Sequence, residues 1–147
     1  MGEIAPIKIT PLKCFESSSG SVMHALKSSD PDFVQFGEAY FSTVNKSAVK
    51  GWKRHKQMIA NLIVPSGSVK FVLFDSRLEP IEPSKFEEVI LSRDNYVRLT
   101  IPPGIWFAFQ GLSPDLNLIL NIASVEHDPN ECEQLSLVND VIPAYEW

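Results

Sequence analysis

Short apolar runs and two-residue alternation, broken by Gly, Pro and Asn/Asp clusters, recur along the whole chain. Ile7 and Ile9 alternate with Lys8 and Thr10 in a short strand that Pro11 stops. Residues 17–20 read as a loop, 21–27 fit strand or helix equally well, and Asp30-Pro31-Asp32 is a turn. His24, inside the ambiguous segment, reads as a structural or surface histidine. Residues 36–44 mix aromatic and small polar side chains, as a strand with one wet face does, and 48–55 is the next strand. The densest pattern spans 49–75, where a cationic cluster (Lys50, Lys53, Arg54, His55, Lys56) runs into two apolar stretches, 59–64 and 69–74. Between them stands Pro65-Ser66-Gly67-Ser68, whose residues supply a fixed φ and a tolerance of positive φ. The spacing predicts a β-hairpin.

Residues 75–84 form a Pro- and charge-rich connection, followed by strands at 86–91 and 96–101. Pro102-Pro103-Gly104 breaks the chain before another apolar strand at 105–109. Residues 116–123 alternate cleanly, with Leu116, Leu118, Leu120 and Ile122 on one side and Asn117 and Asn121 on the other. His127-Asp128-Pro129-Asn130 closes the strand region, and the acidic tail ends in Tyr145 and Trp147, aromatics suited to packing back on the body. Roughly nine or ten short strands without an amphipathic helix predict an all-β sandwich or barrel.

Composition narrows this further. The 147 residues fit one domain with a sizeable core, and 44% hydrophobic with 21% charged residues is ordinary for a globular chain. A net charge of −5 argues against nucleic acid or an anionic membrane as partner, although the basic cluster at 50–56 suits a small anion. No apolar run approaches the about 20 residues that cross a bilayer, and the N-terminal residues do not pattern as a secretion signal. Cys14 and Cys132 are too few for a disulfide framework, so reduced thiols in the cytoplasm are expected. On a strand over 48–55, Lys53 and His55 project together while Trp52 and Arg54 project the other way.

Several stretches, taken in order, resemble the nucleotide-sugar 3,5-epimerases that act on dTDP-4-dehydro-6-deoxyhexoses, which are RmlC-like jelly-roll cupins. They are Gly37-Glu38-Ala39-Tyr40-Phe41-Ser42, Val49-Lys50-Gly51-Trp52, Gly67 with residues 69–75, Ile101-Pro102-Pro103-Gly104 with Phe109, Leu112-Ser113, and His127-Asp128-Pro129. The resemblance implies a single cupin barrel over 36–127, an N-terminal arm with edge strands over 1–35 and a C-terminal tail over 128–147. It implies a homodimer, no cofactor, no metal, and a nucleotide-sugar in the barrel mouth. The chemistry implied is removal and return of a proton beside the C4 ketone of an NDP-4-keto-6-deoxyhexose, in deoxysugar or surface-polysaccharide synthesis.

The family's base falls on Lys53, with His55 two residues later, and its acid tyrosine falls on His127. Phe107 stands where the family has a histidine, and Ala60 or Asn61 where it has a lysine. Lys53, His55 and His127 are therefore the catalytic candidates, with a charged Lys53 holding an enolate or phosphate, His55 taking a proton and His127 returning one. Glu38, Tyr40, Lys50, Arg54, Asn61, Trp106 and Asn121 are the substrate-binding candidates. A protonated Lys53 is no metal ligand, and His55 with His127 is an incomplete set. The alternative is a cupin that binds a nucleotide-sugar or sugar without turnover.

Overall fold

A computed structural model describes residues 5–77 and 85–147. Most of the charge-rich connection expected over 75–84 lies outside the described residues, as does the start of the N-terminal arm. The strands are β1 (Lys8–Pro11), β2 (Cys14–Ser17), β3 (Gly20–Met23), β4 (Glu38–Thr43), β5 (Val49–His55) and β6 (Ala60–Ser66). They continue with β7 (Ser68–Asp75), β8 (Phe86–Ser92), β9 (Val97–Ile101), β10 (Ile105–Gly111), β11 (Leu118–Ala123) and β12 (Cys132–Gln134), which follows a 3-10 turn at Pro129–Glu131. Among the described residues there is no longer helix, and none that could cross a membrane.

Two five-stranded sheets, β1-β9-β6-β11-β4 and β12-β5-β10-β7-β8, form a jelly roll, and β2-β3 is a separate pair. Val64, Phe71, Leu73, Leu99, Ile105 and Phe109 are among the residues that fill the space between the sheets. Burial of such side chains is the main stabilising contribution, about 1.5–3 kcal/mol each. A second cluster lies on the outer side of β5, β10 and β7, where Trp52, Phe74 and Trp106 are covered by the C-terminal tail. Trp147 sits 6.2 Å from Trp52 and 4.7 Å from Tyr145 between ring centroids, so the tail does pack back by its aromatics.

The predicted hairpin is the main correction at this level. β6 and β7 follow one another with only Gly67 between them, yet they lie in opposite sheets and do not pair. Gly67, at φ 86°, makes a corner rather than a hairpin turn, and a Cβ there would lie 2.2 Å from the Leu116 carbonyl oxygen. Asn117 holds this corner. Its Oδ1 accepts from the backbone N–H of Ser68 (2.9 Å) and Ser113 (3.2 Å), and its Nδ2 donates to the Val44 (3.0 Å) and Ser113 (2.9 Å) carbonyls. Asn117 is 1% exposed, so Asn117→Ala strands several polar groups away from water. We expect a loss of roughly 3 kcal/mol, read as a Tm about 6–12 °C lower in a thermal melt.

The alternation in 116–123 holds, with an unexpected polarity. Asn117, Ile119 and Asn121 are buried, whereas Leu118, Leu120 and Ile122 take the half-open outer face. Buried amides here are satisfied partners at corners and in the cavity, which is why polar side chains occupy the inward positions.

Candidate active site

β5 carries the cationic cluster through the second sheet. As strand parity predicts, Trp52 is packed under the C-terminal tail while Lys53 and His55 face a cleft between the sheets. Lys50 would by parity join Trp52 on the outside. It lines the cleft instead, because the β5–β10 ladder pairs Lys53 with Phe107 but Lys50 with Phe109, an extra residue on β5. Such a bulge re-aims side chains, and here it sets two ammonium groups on one wall.

The cleft encloses about 470 Å³, counting the space at its mouth. Its polar half is built by Tyr40 and Ser42 from β4, Lys50, Lys53 and His55 from β5, and Asn121 from β11. Its apolar floor is Leu62, Phe107, Phe109 and Ile119. Lys50 Nζ donates to the Thr43 carbonyl at 2.6 Å, linking β5 to the end of β4. Among the described residues the Lys53 ammonium has no hydrogen bond or ion pair, so its charge is available to a ligand.

Sequence reasoning missed Glu131. This carboxylate, 8% exposed, takes His55 Nδ1 at 2.7 Å on Oε1. Its Oε2 accepts from the backbone N–H of Lys56 (3.0 Å), Gln57 (2.9 Å) and Met58 (2.9 Å), the turn that ends β5. Burial by itself would raise the carboxyl pKa. The N–H donors of Gln57 and Met58 and the imidazole of His55 outweigh that, and hold it below its ordinary 4.5. An ionised carboxylate cannot donate, so neutral His55 carries its proton on Nδ1 and leaves the Nε2 lone pair on the cavity side. The one local signal was Asp128-Pro129-Asn130-Glu131, an acidic cap followed three residues later by Glu. Nothing in that pattern points to a partner 76 residues earlier.

Tyr40 and Asn121 form a second polar pair. Asn121 Nδ2 donates to the Tyr40 hydroxyl oxygen at 3.0 Å, and Asn121 Oδ1 accepts from Asn61 N–H at 3.1 Å. The Tyr40 O–H is thereby left to point a donor into the cleft. Asn61 faces away and is spent on the Ile122 carbonyl (3.1 Å) and the Thr100 hydroxyl (2.8 Å), so it braces Asn121 rather than meeting a ligand.

Four other expected residues lie outside the cleft. Arg54 is on the outer face, 2.6 Å from Glu133 and 3.0 Å from the Ser76 hydroxyl, with its guanidinium 4.6 Å above the Trp106 ring. Trp106 is 2% exposed in the outer cluster, and parity places both it and Arg54 there. His127 is exposed on the loop after β11, ahead of the turn that Asp128 caps, so it does not join Lys53 and His55. Glu38 sits half-buried at the start of β4, outside the cleft lining. Across from His55 and Lys53 in the β12–β5 ladder stand Cys132 and Gln134. Burial pushes the Cys132 thiol up, against the pull of the Lys53 charge. Among the described residues no three His, Cys, Asp or Glu side chains gather where a metal ion could be held.

A family model described as WxcM-like, C-terminal, matches residues 5–135. The chain belongs to that family. A dTDP sugar isomerase from Desulfovibrio desulfuricans G20 is 36% identical, over 88% of this chain and 83% of that one, with a TM-score of 0.83. QdtA, a sugar 3,4-ketoisomerase from Thermoanaerobacterium thermosaccharolyticum solved with TDP, is 23% identical over 86% of each chain, with a TM-score of 0.71. A dTDP-4-dehydrorhamnose 3,5-epimerase from Sulfolobus tokodaii is 22% identical over 88% of this chain and 77% of that one, with a TM-score of 0.77. No curated protein shows a significant sequence match. The WxcM-like chain thus shares the RmlC-like cupin jelly roll of dTDP-sugar isomerases and epimerases.

Proposed function

We propose that this protein is a nucleotide-sugar isomerase that moves a proton beside the C4 ketone of an NDP-4-keto-6-deoxyhexose. The observation that carries the reading is His55, fixed by buried Glu131 through Nδ1 and facing a cleft with two ammonium groups and a phenol. The C4 carbonyl acidifies the adjacent C3–H. Neutral His55 accepts that proton on Nε2, and the electron pair from the broken C–H bond passes to the C4 oxygen. Lys53 and the Tyr40 O–H stabilise this enolate by charge and hydrogen bond.

With His127 outside the cleft, His55 is the one imidazole lining it among the described residues. Return of the proton from the same face is then favoured over inversion, which needs a donor on the opposite side. The O3 hydroxyl proton passes to the C4 oxygen, the O3 electron pair settles as a C3 carbonyl, and the imidazolium delivers its proton to C4, so that the C4 oxygen becomes a hydroxyl and both protons are accounted for. The result is a carbonyl shift from C4 to C3 rather than 3,5-epimerisation. The apolar floor suits the C6 methyl of a deoxyhexose.

The test is incubation with dTDP-4-keto-6-deoxyglucose in D2O, followed by NMR. A C3-keto product with deuterium entering at C4 supports the reading. Exchange at C5 with inversion would replace it by epimerisation. No exchange across a panel of nucleotide keto-sugars would leave binding without turnover, the second reading, for which the unpaired Lys53 cation is the supporting observation. Ligand-dependent melting shifts with dTDP would then remain. Lys53→Gln is expected to lower kcat about 10²-fold with a smaller change in KM, since its charge acts mainly on the developing enolate.

A further inference from the structure

The family match ends at residue 135, and the segment that roofs the outer aromatic cluster comes after it. Beyond Leu135 the chain turns back on Asn139, whose Oδ1 accepts from the backbone N–H of Val141 (2.8 Å) and Ile142 (2.7 Å). Ile142 is buried in the cluster that holds Trp52, and Tyr145 and Trp147 complete the cover. The Lys70 ammonium of β7 stands 5.1 Å from the Tyr145 ring and 5.4 Å from that of Trp147. The Tyr145 hydroxyl donates to Glu88 of β8. β12 and β8 are the two edges of the second sheet, so the tail crosses its outer face as a strap from one edge to the other.

The strap starts from the strand that serves the cleft. β12 has three residues, half-buried or exposed, and pairs with β5 alone among the described strands. So short an edge strand opens readily unless its ends are held. Its head is Glu131, seated on His55 and on the N–H groups of Lys56, Gln57 and Met58. Its foot is Leu135, which exchanges backbone hydrogen bonds with Trp52, each 2.9 Å. Between them the Arg54–Glu133 bridge is 28% and 39% exposed, so it holds weakly. The foot lies in the outer cluster under Tyr145 and Trp147, whose rings keep water from the Trp52–Leu135 pair. We propose that Tyr145 and Trp147 are positioning residues. By closing the tail over Trp52 and Leu135 they hold β12 on β5, and with it the Glu131 carboxylate that fixes the proton of His55 on Nδ1. That this hold matters for turnover rests on the proton transfer proposed above, whereas the hold itself does not.

Amide hydrogen exchange and imidazole nitrogen NMR on the full chain test this without substrate. In Trp147→Ala the N–H groups of Trp52, Lys56, Gln57 and Met58 should exchange at least about 10-fold faster, while those of β6, β9 and β11 in the first sheet keep their rates. The His55 nitrogen signals should move from those of a ring protonated on Nδ1 towards those of a ring that shares its proton between both nitrogens. Trp147→Phe keeps a ring over Trp52 and should restore both readouts. Asn117→Ala, which loosens a corner away from the strap, should lower Tm and leave the His55 signals in place. Faster exchange at Trp52 with Lys56, Gln57, Met58 and His55 unchanged would overturn the proposal and leave the tail as cover for the outer cluster alone. Tyr145→Ala supplies a second variant, read in the same way, if Trp147→Ala fails to fold. On the proposed reaction, Trp147→Ala should lower kcat about tenfold at constant KM. A wild type without turnover would sink that reaction, and the exchange and NMR results would still decide the positioning.

Discussion

His55→Gln should lower kcat by about 10²–10⁴-fold while Tm moves by no more than a few degrees. Glutamine can still donate from its amide to Glu131, so the buried carboxylate keeps a partner and the end of β5 keeps its shape. What disappears is the one imidazole that, among the described residues, lines the cleft. On the proposed reading KM should change little, because Lys50, Lys53 and Tyr40 still line the cleft. Steady-state kinetics with the keto-sugar, read beside a thermal melt, separates these effects. Turnover within threefold of wild type would remove His55 from the chemistry and shift attention to Tyr40.

Glu131→Ala should be the most destabilising single change, by about 3–5 kcal/mol in a denaturant titration. It leaves three backbone N–H groups and His55 Nδ1 without their acceptor in a site only 8% exposed. Glu131→Gln separates shape from proton chemistry. The amide oxygen can satisfy the three N–H groups, but its NH2 then faces Nδ1 and forces the other tautomer, with the proton on Nε2 and no lone pair towards the cleft. Activity should fall about 10²-fold or more while most stability is kept. The acid limb carries the same signature. Because folding holds this carboxyl below 4.5, its stabilising contribution is complete above that pH and is lost as pH falls through the lower folded-state value. Melts of wild type and Glu131→Gln should therefore converge as the solution is acidified below about pH 4.

How much of this was legible depends on how local each feature is. Two-residue alternation follows from the extended backbone alone, so most strands of the two large sheets, the all-β class and the shared face of Lys53 and His55 could be read directly, whereas β2 and β12 went unread and β3 stayed open between strand and helix. Alternation in 116–123 was equally visible. Its direction was not, since Asn117 and Asn121 are inward only because Ser68, Val44, Asn61 and Tyr40 are there to bond them. The turn at Gly67 was legible as a turn but not as a corner, because tight hairpins and sheet-to-sheet corners use the same residues.

The sequence by itself determined where most strands of the two large sheets run and that Lys53 and His55 point together, through dihedral preferences that act over a few residues. Only the tertiary structure decided which sheet each strand joins, that a bulge swings Lys50 onto the cleft wall, and that His127 stays outside. It alone brings Glu131 to His55 across 76 residues, because that contact is made by sheet packing and by the turn before β12, not by any pattern near either residue.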